Sequence, residues 1–278
     1  MNNSVSQSHP INAYRIILSI LLVELIIYFF CDVHIAAFVG NTFIGFEQDP
    51  LLWLTYSAGL PQLILSNVYV SYFIDAFIFV LLCLLIAKPL NKWLAIMLLL
   101  SLFIFYAIFT GHLGHRNYQS GYLLILLPFC FKKIKHKQIV FEFTRYFLLF
   151  FYVSAAYFKI KSGSLFAADH LSHAIVNQFT PYFLEQSYSI STYFNLFLIS
   201  HTTLATQLYI VATILEFSAI TGFFTKRFDK YLASFFLLFH FANWFIMDIA
   251  PIGQIAFICT LYFTSNFAWK NTSDKFKQ

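Results

Sequence analysis

Long apolar runs, separated by short polar segments, constrain the fold of this chain more than any other feature. Eight runs follow one another, at residues 14–33, 68–87, 93–110, 118–131, 139–158, 204–224, 231–247 and 249–269. A helix of about 20 apolar residues crosses a hydrocarbon layer of roughly 30 Å. Only 10% of the residues are charged, against about 25% in soluble domains. The sequence therefore predicts an all-α fold, a polytopic integral membrane bundle of about eight transmembrane helices within a range of seven to nine.

The chain is predicted to form a single transmembrane domain, residues 14–269, between two short polar ends. Residues 1–13 are a polar N-terminus without lysine or arginine, and residues 270–278 are a basic tail. The segment 159–203, between the fifth and sixth runs, mixes polar and aromatic residues and contains a glycine and a proline. Such a segment is typical of interfacial or re-entrant helices, and we expect it on the extracytoplasmic side.

Clusters of basic residues indicate the orientation. After Arg15 they follow every second run, at Lys88 and Lys92, at Lys132, Lys133, Lys135 and Lys137, at Lys226, Arg227 and Lys230, and at Lys270, Lys275 and Lys277. With eight crossings all of them lie on one side, and cytoplasmic loops carry an excess of lysine and arginine. Both termini are therefore predicted to be cytoplasmic, and we expect a bacterial inner membrane. Because the basic clusters are not interleaved with stacking aromatic residues, no nucleic-acid partner is predicted beside the lipid bilayer.

Five ionisable residues lie inside the apolar runs: Glu24, Asp75, Glu142, Arg145 and Glu216. A charge at mid-membrane costs about 2.5–3.5 kcal/mol on insertion scales, so each of them requires a partner or water. Glu142 and Arg145 are three positions apart, which predicts a local ion pair on one helix face. Asp75 falls in the outer half of its run and is a candidate for cofactor binding.

The polar segment GHLGHRNY precedes the fourth run. It contains His112, His115 and Arg116, together with two glycines that permit a tight backbone. Arg116 offers a fixed cation to an anionic ligand and is a second candidate for cofactor binding. A metal would need a third ligand at a fixed spacing, which this segment does not supply, so no metal site is predicted.

Lys159 directly follows the aromatic stretch 152–158. Its amine is expected at or just below the outer interface, where loss of hydration favours the neutral amine and creates a base. The alternative is a snorkelling lysine that anchors the helix end. In the seventh run, His240, Asn243 and Trp244 share one helical face. A polar face inside a bundle serves packing or lines a cavity, and Trp244 is a third candidate for cofactor binding.

Three segments carry a resemblance to a known family: HRNYQSGYLLIL, FFYVSAAYFKIKSG and FFLLFHFANWFIMDIAPIGQIAF. In this order they resemble the horizontally transferred transmembrane (HTTM) domain of vitamin K-dependent gamma-carboxylases and their bacterial relatives. In the carboxylases a Tyr-Phe-x-Ala-Gly-x-Lys-Lys segment supplies the lysine base that deprotonates reduced vitamin K. The resemblance implies this catalytic role for Lys159, with Ala155 and Ala156 at the similar positions before it.

The resemblance also implies catalytic roles for three further residues. His115 corresponds to a family histidine, and His240 and Asn243 match a Phe-His-x-x-Asn segment. The chain departs from the family at Phe158, where relatives carry a second lysine, and at Leu165, where they carry tryptophan. No counterpart of the large lumenal region that holds the peptide substrate of the animal enzyme is expected in these 278 residues. The ligand that the resemblance implies is therefore a quinone or hydroquinone in a pocket between aromatic-rich helices.

Three functions remain open at this point. The first is a membrane enzyme with carboxylase- or epoxidase-like, quinone-dependent chemistry, in which Lys159 is the base. The second is a non-enzymatic accessory, maturation or immunity-type protein that contacts a membrane or secreted partner protein through the segment 159–203. The third is a transporter, for which buried acids are apt, although the sequence shows no inverted repeat or pair of broken helices.

Overall fold

The computed structural model describes residues 5–41, 50–113, 121–184, 189–247 and 253–264. The regular elements in these ranges are helical, as the sequence predicts. Short 3₁₀ turns lie at Ile35–Phe38, Leu127–Cys130 and Ser164–Phe166. In chain order the α-helices are α1 (Val5–Phe30), α2 (Pro50–Ser57), α3 (Leu60–Leu65), α4 (Val68–Ala87), α5 (Lys92–Leu113), α6 (Gly121–Leu126), α7 (Ile134–Lys161), α8 (His170–Leu184), α9 (Ile190–Ser200), α10 (Thr202–Ser218), α11 (Ile220–Phe224), α12 (Asp229–Met247) and α13 (Gln254–Thr264).

Within the described residues, six helical segments are long and apolar enough to cross a membrane. They coincide with six of the eight predicted runs, which supports an integral membrane protein with several spans. Where the fourth run was predicted, the structure describes α6 and the turn that follows it, and for the eighth run it describes the 11-residue α13. Since the rest of these two runs lies outside the described residues, the count of eight stays a prediction. The six segments are Ile11–Phe38, Val68–Ala87, Lys92–His112, Lys135–Lys161, Thr202–Phe224 and Asp229–Met247.

The spans leave much of their apolar surface uncovered by protein. In the most apolar 18-residue stretch of Thr202–Phe224, and in that of Asp229–Met247, only 22% is buried inside the protein. On α4, the large side chains of Tyr69, Phe73 and Val80 are all exposed. Soluble proteins rarely expose continuous apolar surface of this extent. Such an exterior is the one expected where lipid tails surround the helices.

Contacts between the described helices divide the chain into two compact units. The first consists of Met1–Thr144 and Pro251–Gln278, which we call the terminal unit. In it, α1 packs against α4 and α13, and α4 also packs against α5. The apolar faces of these helices form its core, with buried side chains that include Ile17, Leu18, Leu21, Leu82, Leu85, Leu98 and Ile258.

The second unit, Arg145–Ala250, is called the central unit below. It holds the larger part of α7, which ends before Gly163, a residue whose φ of 75° turns the chain. The short helices α8 and α9 pack against each other and against α10 and α12. At 15 and 11 residues, both are shorter than the roughly 20 residues of a membrane span.

A capping box marks the start of α9. The hydroxyl of Ser189 accepts a hydrogen bond from the backbone N–H of Thr192, whose own hydroxyl accepts one from the backbone N–H of Ser189. This arrangement satisfies two N–H groups that a helix start leaves without partners.

Helices α8, α9 and α10 bury a small apolar core of Ile175, Phe179, Leu198 and Ala205. The central unit thus has its own apolar core.

Candidate functional site

Lys159, near the end of α7, forms an ion pair with Glu216 of α10. Its amine donates to both carboxylate oxygens, at 2.8 Å to Oε1 and 2.7 Å to Oε2. The Glu216 side chain is 5% exposed and the Lys159 side chain 24%. The amine therefore does not extend into bulk water as a snorkelling lysine would. Lys159 is the more exposed partner of a pair whose carboxylate is buried.

Two aromatic rings border the Lys159 amine, and a hydroxyl group binds the backbone of the same residue. Its Nζ lies 5.2 Å from the centre of the Tyr209 ring and 5.9 Å from that of Phe239, distances at which a cation is attracted to the ring face. Ser164 donates to the backbone carbonyl of Lys159 at 3.1 Å, and its hydroxyl is also 3.1 Å from that of Tyr209. The turn that follows α7 thus fixes the position of the lysine.

A second polar pair lies in the same unit. The hydroxyl of Tyr152 on α7 is 2.6 Å from Nε2 of His240 on α12. Both residues are buried, and the Tyr152 ring stacks on Phe236 with the ring centres 3.7 Å apart. Phe239 touches Tyr152 and His240 edge to face. Because Phe239 also borders the Lys159 amine, one aromatic ring adjoins both polar pairs.

Each pair can carry a proton. In Lys159 and Glu216, the shared proton resides on the amine in the ionic form and on the carboxyl in the neutral form. Between Tyr152 and His240, the imidazole tautomer decides which atom donates. The arrangement provides two hydrogen-bonded proton carriers beside the ring of Phe239, and the Lys159 side chain of one of them is partly exposed.

The structure brings together two of the four residues that were predicted to be catalytic. Lys159 and His240 lie in the central unit, and both adjoin the ring of Phe239. Asn243, half-buried, and Trp244, 40% exposed, lie one turn farther along α12. The catalytic role of Asn243 and the cofactor role of Trp244 stay predictions.

His115 and Arg116 fall in residues 114–120, outside the described part of the chain. Their predicted roles in catalysis and cofactor binding therefore stay predictions. His112, at the end of α5, is buried, and its Nδ1 lies 2.7 Å from the carbonyl oxygen of Ile108 one turn earlier. Among the described residues, no group of three or more His, Cys, Asp or Glu side chains is placed to hold a metal ion.

Asp75, which was predicted to be a ligand candidate, holds a backbone turn in the terminal unit. Its carboxylate accepts hydrogen bonds from the N–H groups of Ile35 and Ala36, at 2.9 and 3.0 Å, and lies 3.2 Å from Nδ1 of His34. The residue is 5% exposed. Both carboxylate oxygens are thus engaged in holding the 3₁₀ turn after α1. This is a structural role that the sequence did not reveal.

Glu24 has a similar role in the terminal unit, where it binds the start of α13. Its oxygens accept hydrogen bonds from the N–H groups of Ile255 and Ala256, both at 3.1 Å. These two residues lie in the first turn of α13, and the first N–H groups of a helix have no partner within it. A carboxylate at this position also interacts favourably with the positive end of the helix dipole. Glu24 therefore caps α13.

Arg145 is bound to a residue that the sequence analysis did not single out. Its Nε and Nη2 donate to the two carboxylate oxygens of Asp229, at 2.7 and 2.8 Å, and Nη2 also donates to the carbonyl of Gly222 at 2.5 Å. Arg145 and Asp229 are fully buried. The available signal in the sequence was the position of Asp229, a single acidic residue within the basic cluster after the sixth run. Such a residue can pair with a cation inside a span.

Comparisons of the chain with protein-family models, with curated proteins and with solved structures find no match. The geometry of the site is therefore the basis for assigning a function.

Proposed function

We propose that the central unit binds a lipid-soluble, quinone- or hydroquinone-like molecule and transfers a proton at its hydroxyl group. One observation carries the proposal: the pair of Lys159 and Glu216 lies beside the pair of Tyr152 and His240, and Phe239 adjoins both. The resemblance to the HTTM domain of the carboxylases is part of the same proposal, since it implies a lysine base at this position.

The chemistry of the surroundings supports a flat apolar ring with a polar head. Tyr209 and Phe239 offer ring faces on which such a molecule can stack. Lys159, the more exposed partner of its pair, offers its amine as a donor to a quinone oxygen. The helices that bear these residues are apolar enough to lie in a membrane, so a ligand dissolved in lipid can reach them from the side.

The proton transfer keeps the net charge of the buried site constant. Movement of the shared proton from Lys159 to Glu216 yields a neutral amine and a carboxylic acid. The amine then takes the proton of the bound hydroquinone hydroxyl as its O–H bond breaks, which leaves the phenolate beside the new ammonium. A hydrogen bond from the pair of Tyr152 and His240 stabilises the oxygen that becomes negative.

A binding measurement tests the proposal. The full chain, reconstituted in lipid nanodiscs, is titrated with a naphthoquinone that carries a short isoprenoid tail, and quenching of tryptophan fluorescence reports the bound fraction. Lys159→Met removes one charge-assisted hydrogen bond and should weaken binding by about tenfold or more. Lys161→Met is the matched control, because Lys161 is exposed two residues later on the same helix, and it should bind as the wild type does.

Equal affinities of the wild type and Lys159→Met would overturn the proposal, as would a failure of the naphthoquinone to bind at all. Either result would favour the second function, a non-enzymatic partner of another membrane or secreted protein. The observation that favours this alternative is the exposure of large apolar side chains in the segment 159–203, at Phe166, Ile190 and Tyr193. The orientation belongs to the proposal as well: cytoplasmic termini and an outward-facing site in a bacterial inner membrane.

A further inference from the structure

The start of α7 carries the opposite of the charges that a helix start favours. Lys132 and Lys133 directly precede the helix, Lys135 and Lys137 lie in its first turn, and that turn contains no acidic residue. The N-terminus of a helix bears a partial positive charge, so cations there are unfavourable. An anion at this place would offset both the dipole and the lysines.

Lys137 is a second, independent sign of an anion. It is 0% exposed, and its amine has no hydrogen-bond partner among the residues that the structure describes. The amine lies 5.8 Å from the centre of the Tyr14 ring and 5.6 Å from that of Phe129. These contacts offset only part of the cost of burying an ammonium group.

The direction of the Lys137 side chain links it to the helix start. Side chains on a helix lean toward its N-terminus, and Phe129, which the amine approaches, belongs to the turn before α7. The buried charge is therefore directed to the same end of α7 at which Lys132, Lys133 and Lys135 are exposed.

We propose that the N-terminus of α7 binds the phosphate of an anionic phospholipid headgroup. The N–H groups of Ile134 and Lys135, for which the helix itself supplies no acceptor, and the exposed Lys132, Lys133 and Lys135 bind the phosphate oxygens. The next two N–H groups, of His136 and Lys137, donate to the carbonyl of Lys133. Lys137 adds its charge from the protein side. All of these residues belong to the terminal unit, whereas the residues of the proposed quinone site belong to the central unit.

The position of the start of α7 relative to the membrane indicates that the phosphate belongs to a lipid. The segment Lys135–Lys161 is one of the six candidate spans, so its first residues lie where a span meets the headgroup layer. Basic clusters that adjoin a span are attracted to anionic lipids of that leaflet. Free phosphate shares the chemistry but lacks the acyl chains that hold a lipid beside the helices.

A thermal unfolding experiment distinguishes these sources. The full chain in a neutral detergent is heated with phosphatidylglycerol, with phosphatidylcholine or with inorganic phosphate at equal concentrations. Binding to the folded state alone should raise the midpoint by about 5 °C with phosphatidylglycerol. The other two additions should produce less than half of that rise.

Two triple variants test the location. K132Q/K133Q/K135Q should lose more than half of the rise with phosphatidylglycerol. K88Q/K92Q/K230Q removes the same number of charges from other basic clusters on the side predicted to be cytoplasmic, and it should keep the rise. K137M should unfold at a higher temperature than the wild type without lipid, because a buried unpaired charge is gone, and should respond less to phosphatidylglycerol.

Several results would overturn the proposal. Equal rises with the two phospholipids would mean that no anion site exists, and a full rise with inorganic phosphate alone would mean that the site takes free phosphate. Equal losses in the two triple variants would reduce the effect to general charge attraction. A K137M variant that is less stable without lipid and fully responsive to phosphatidylglycerol would remove Lys137 from the site.

Discussion

The two units satisfy their buried carboxylates in different ways. In the terminal unit, Glu24 and Asp75 accept hydrogen bonds from backbone N–H groups at the start of a helix or turn. In the central unit, Asp229 and Glu216 are paired with side-chain cations. A backbone N–H group survives any substitution except proline, whereas a cation is lost with one substitution. The central unit therefore depends on individual side chains for the balance of its buried charges.

A second contrast lies within the central unit. The ion pair of Arg145 and Asp229 is closed, with side chains 1% and 0% exposed, whereas the Lys159 side chain is 24% exposed. A closed pair has no surface to offer a ligand and can serve only the fold. The pair of Lys159 and Glu216 costs less to desolvate, because part of the lysine side chain stays exposed. The difference separates a structural pair from a candidate functional one.

The largest effect is expected from Arg145→Met. Loss of the guanidinium leaves the Asp229 carboxylate and the Gly222 carbonyl buried without these donors, which should destabilise the protein by about 3–5 kcal/mol. Reversible unfolding in mixed detergent micelles measures the change. The double variant Arg145→Met/Asp229→Leu should recover much of the loss, since neither charge is then left alone. A cost below about 1 kcal/mol for the single variant, within the range of exposed pairs, would show that the pair is not closed.

A smaller effect is expected at Glu24, where the partners are backbone groups. Glu24→Leu leaves the N–H groups of Ile255 and Ala256 without their acceptor, at a cost of about 1–3 kcal/mol. Glu24→Gln keeps one side-chain oxygen as acceptor and should cost less than half as much. The free energies of unfolding of both variants, measured with a chemical denaturant, show whether the acceptor oxygens or the negative charge of Glu24 stabilise the protein. If the glutamine variant were as unstable as Arg145→Met, the contrast between the units would fail.

Gly222→Ala tests the close approach that lets Arg145 reach its partners. A Cβ atom at this position would lie 2.7 and 2.8 Å from the terminal methyl carbons of Leu149, which is itself fully buried. The overpacking should cost about 1–3 kcal/mol. Leu149→Ala provides the missing space, so the double variant should be less destabilised than the sum of the two single changes. Strict additivity in the unfolding free energies would argue against this contact.

The smallest effect on stability is expected from Lys159→Met. The Lys159 side chain is partly exposed, and Glu216 can take up a proton once the cation is absent, so the loss should be about 1 kcal/mol. The same substitution should have the largest effect on naphthoquinone binding. A loss of stability comparable with that of Arg145→Met would place Lys159 among the structural charges and would weaken the proposed function.

The helices were predictable because the signal is local. Each span is a run of apolar residues long enough to cross lipid, and the cost of exposing backbone groups to lipid makes such a run helical. The six long helices therefore coincide with predicted runs. The runs 118–131 and 249–269 lie partly outside the described residues, so the count of eight spans stays a prediction.

The candidate site was predictable only in part. Lys159 and His240 could be selected from sequence because polar residues in apolar surroundings are rare. Their partners could not, since Glu216 is 57 residues from Lys159 and Tyr152 is 88 residues from His240. Six other aromatic residues lie within two helical turns of Tyr152, and composition does not distinguish it from them.

What the sequence by itself determined is the helical membrane architecture and the set of residues that need a partner, because both follow from the energy of placing single residues in an apolar medium. Which partner each residue received was decided by the tertiary structure. Glu24 and Asp75 obtained backbone N–H groups, while Arg145 and Lys159 obtained carboxylates. Hydrogen bonds require atoms within about 3 Å of each other, and only the packing of helices far apart in the chain brings them that close.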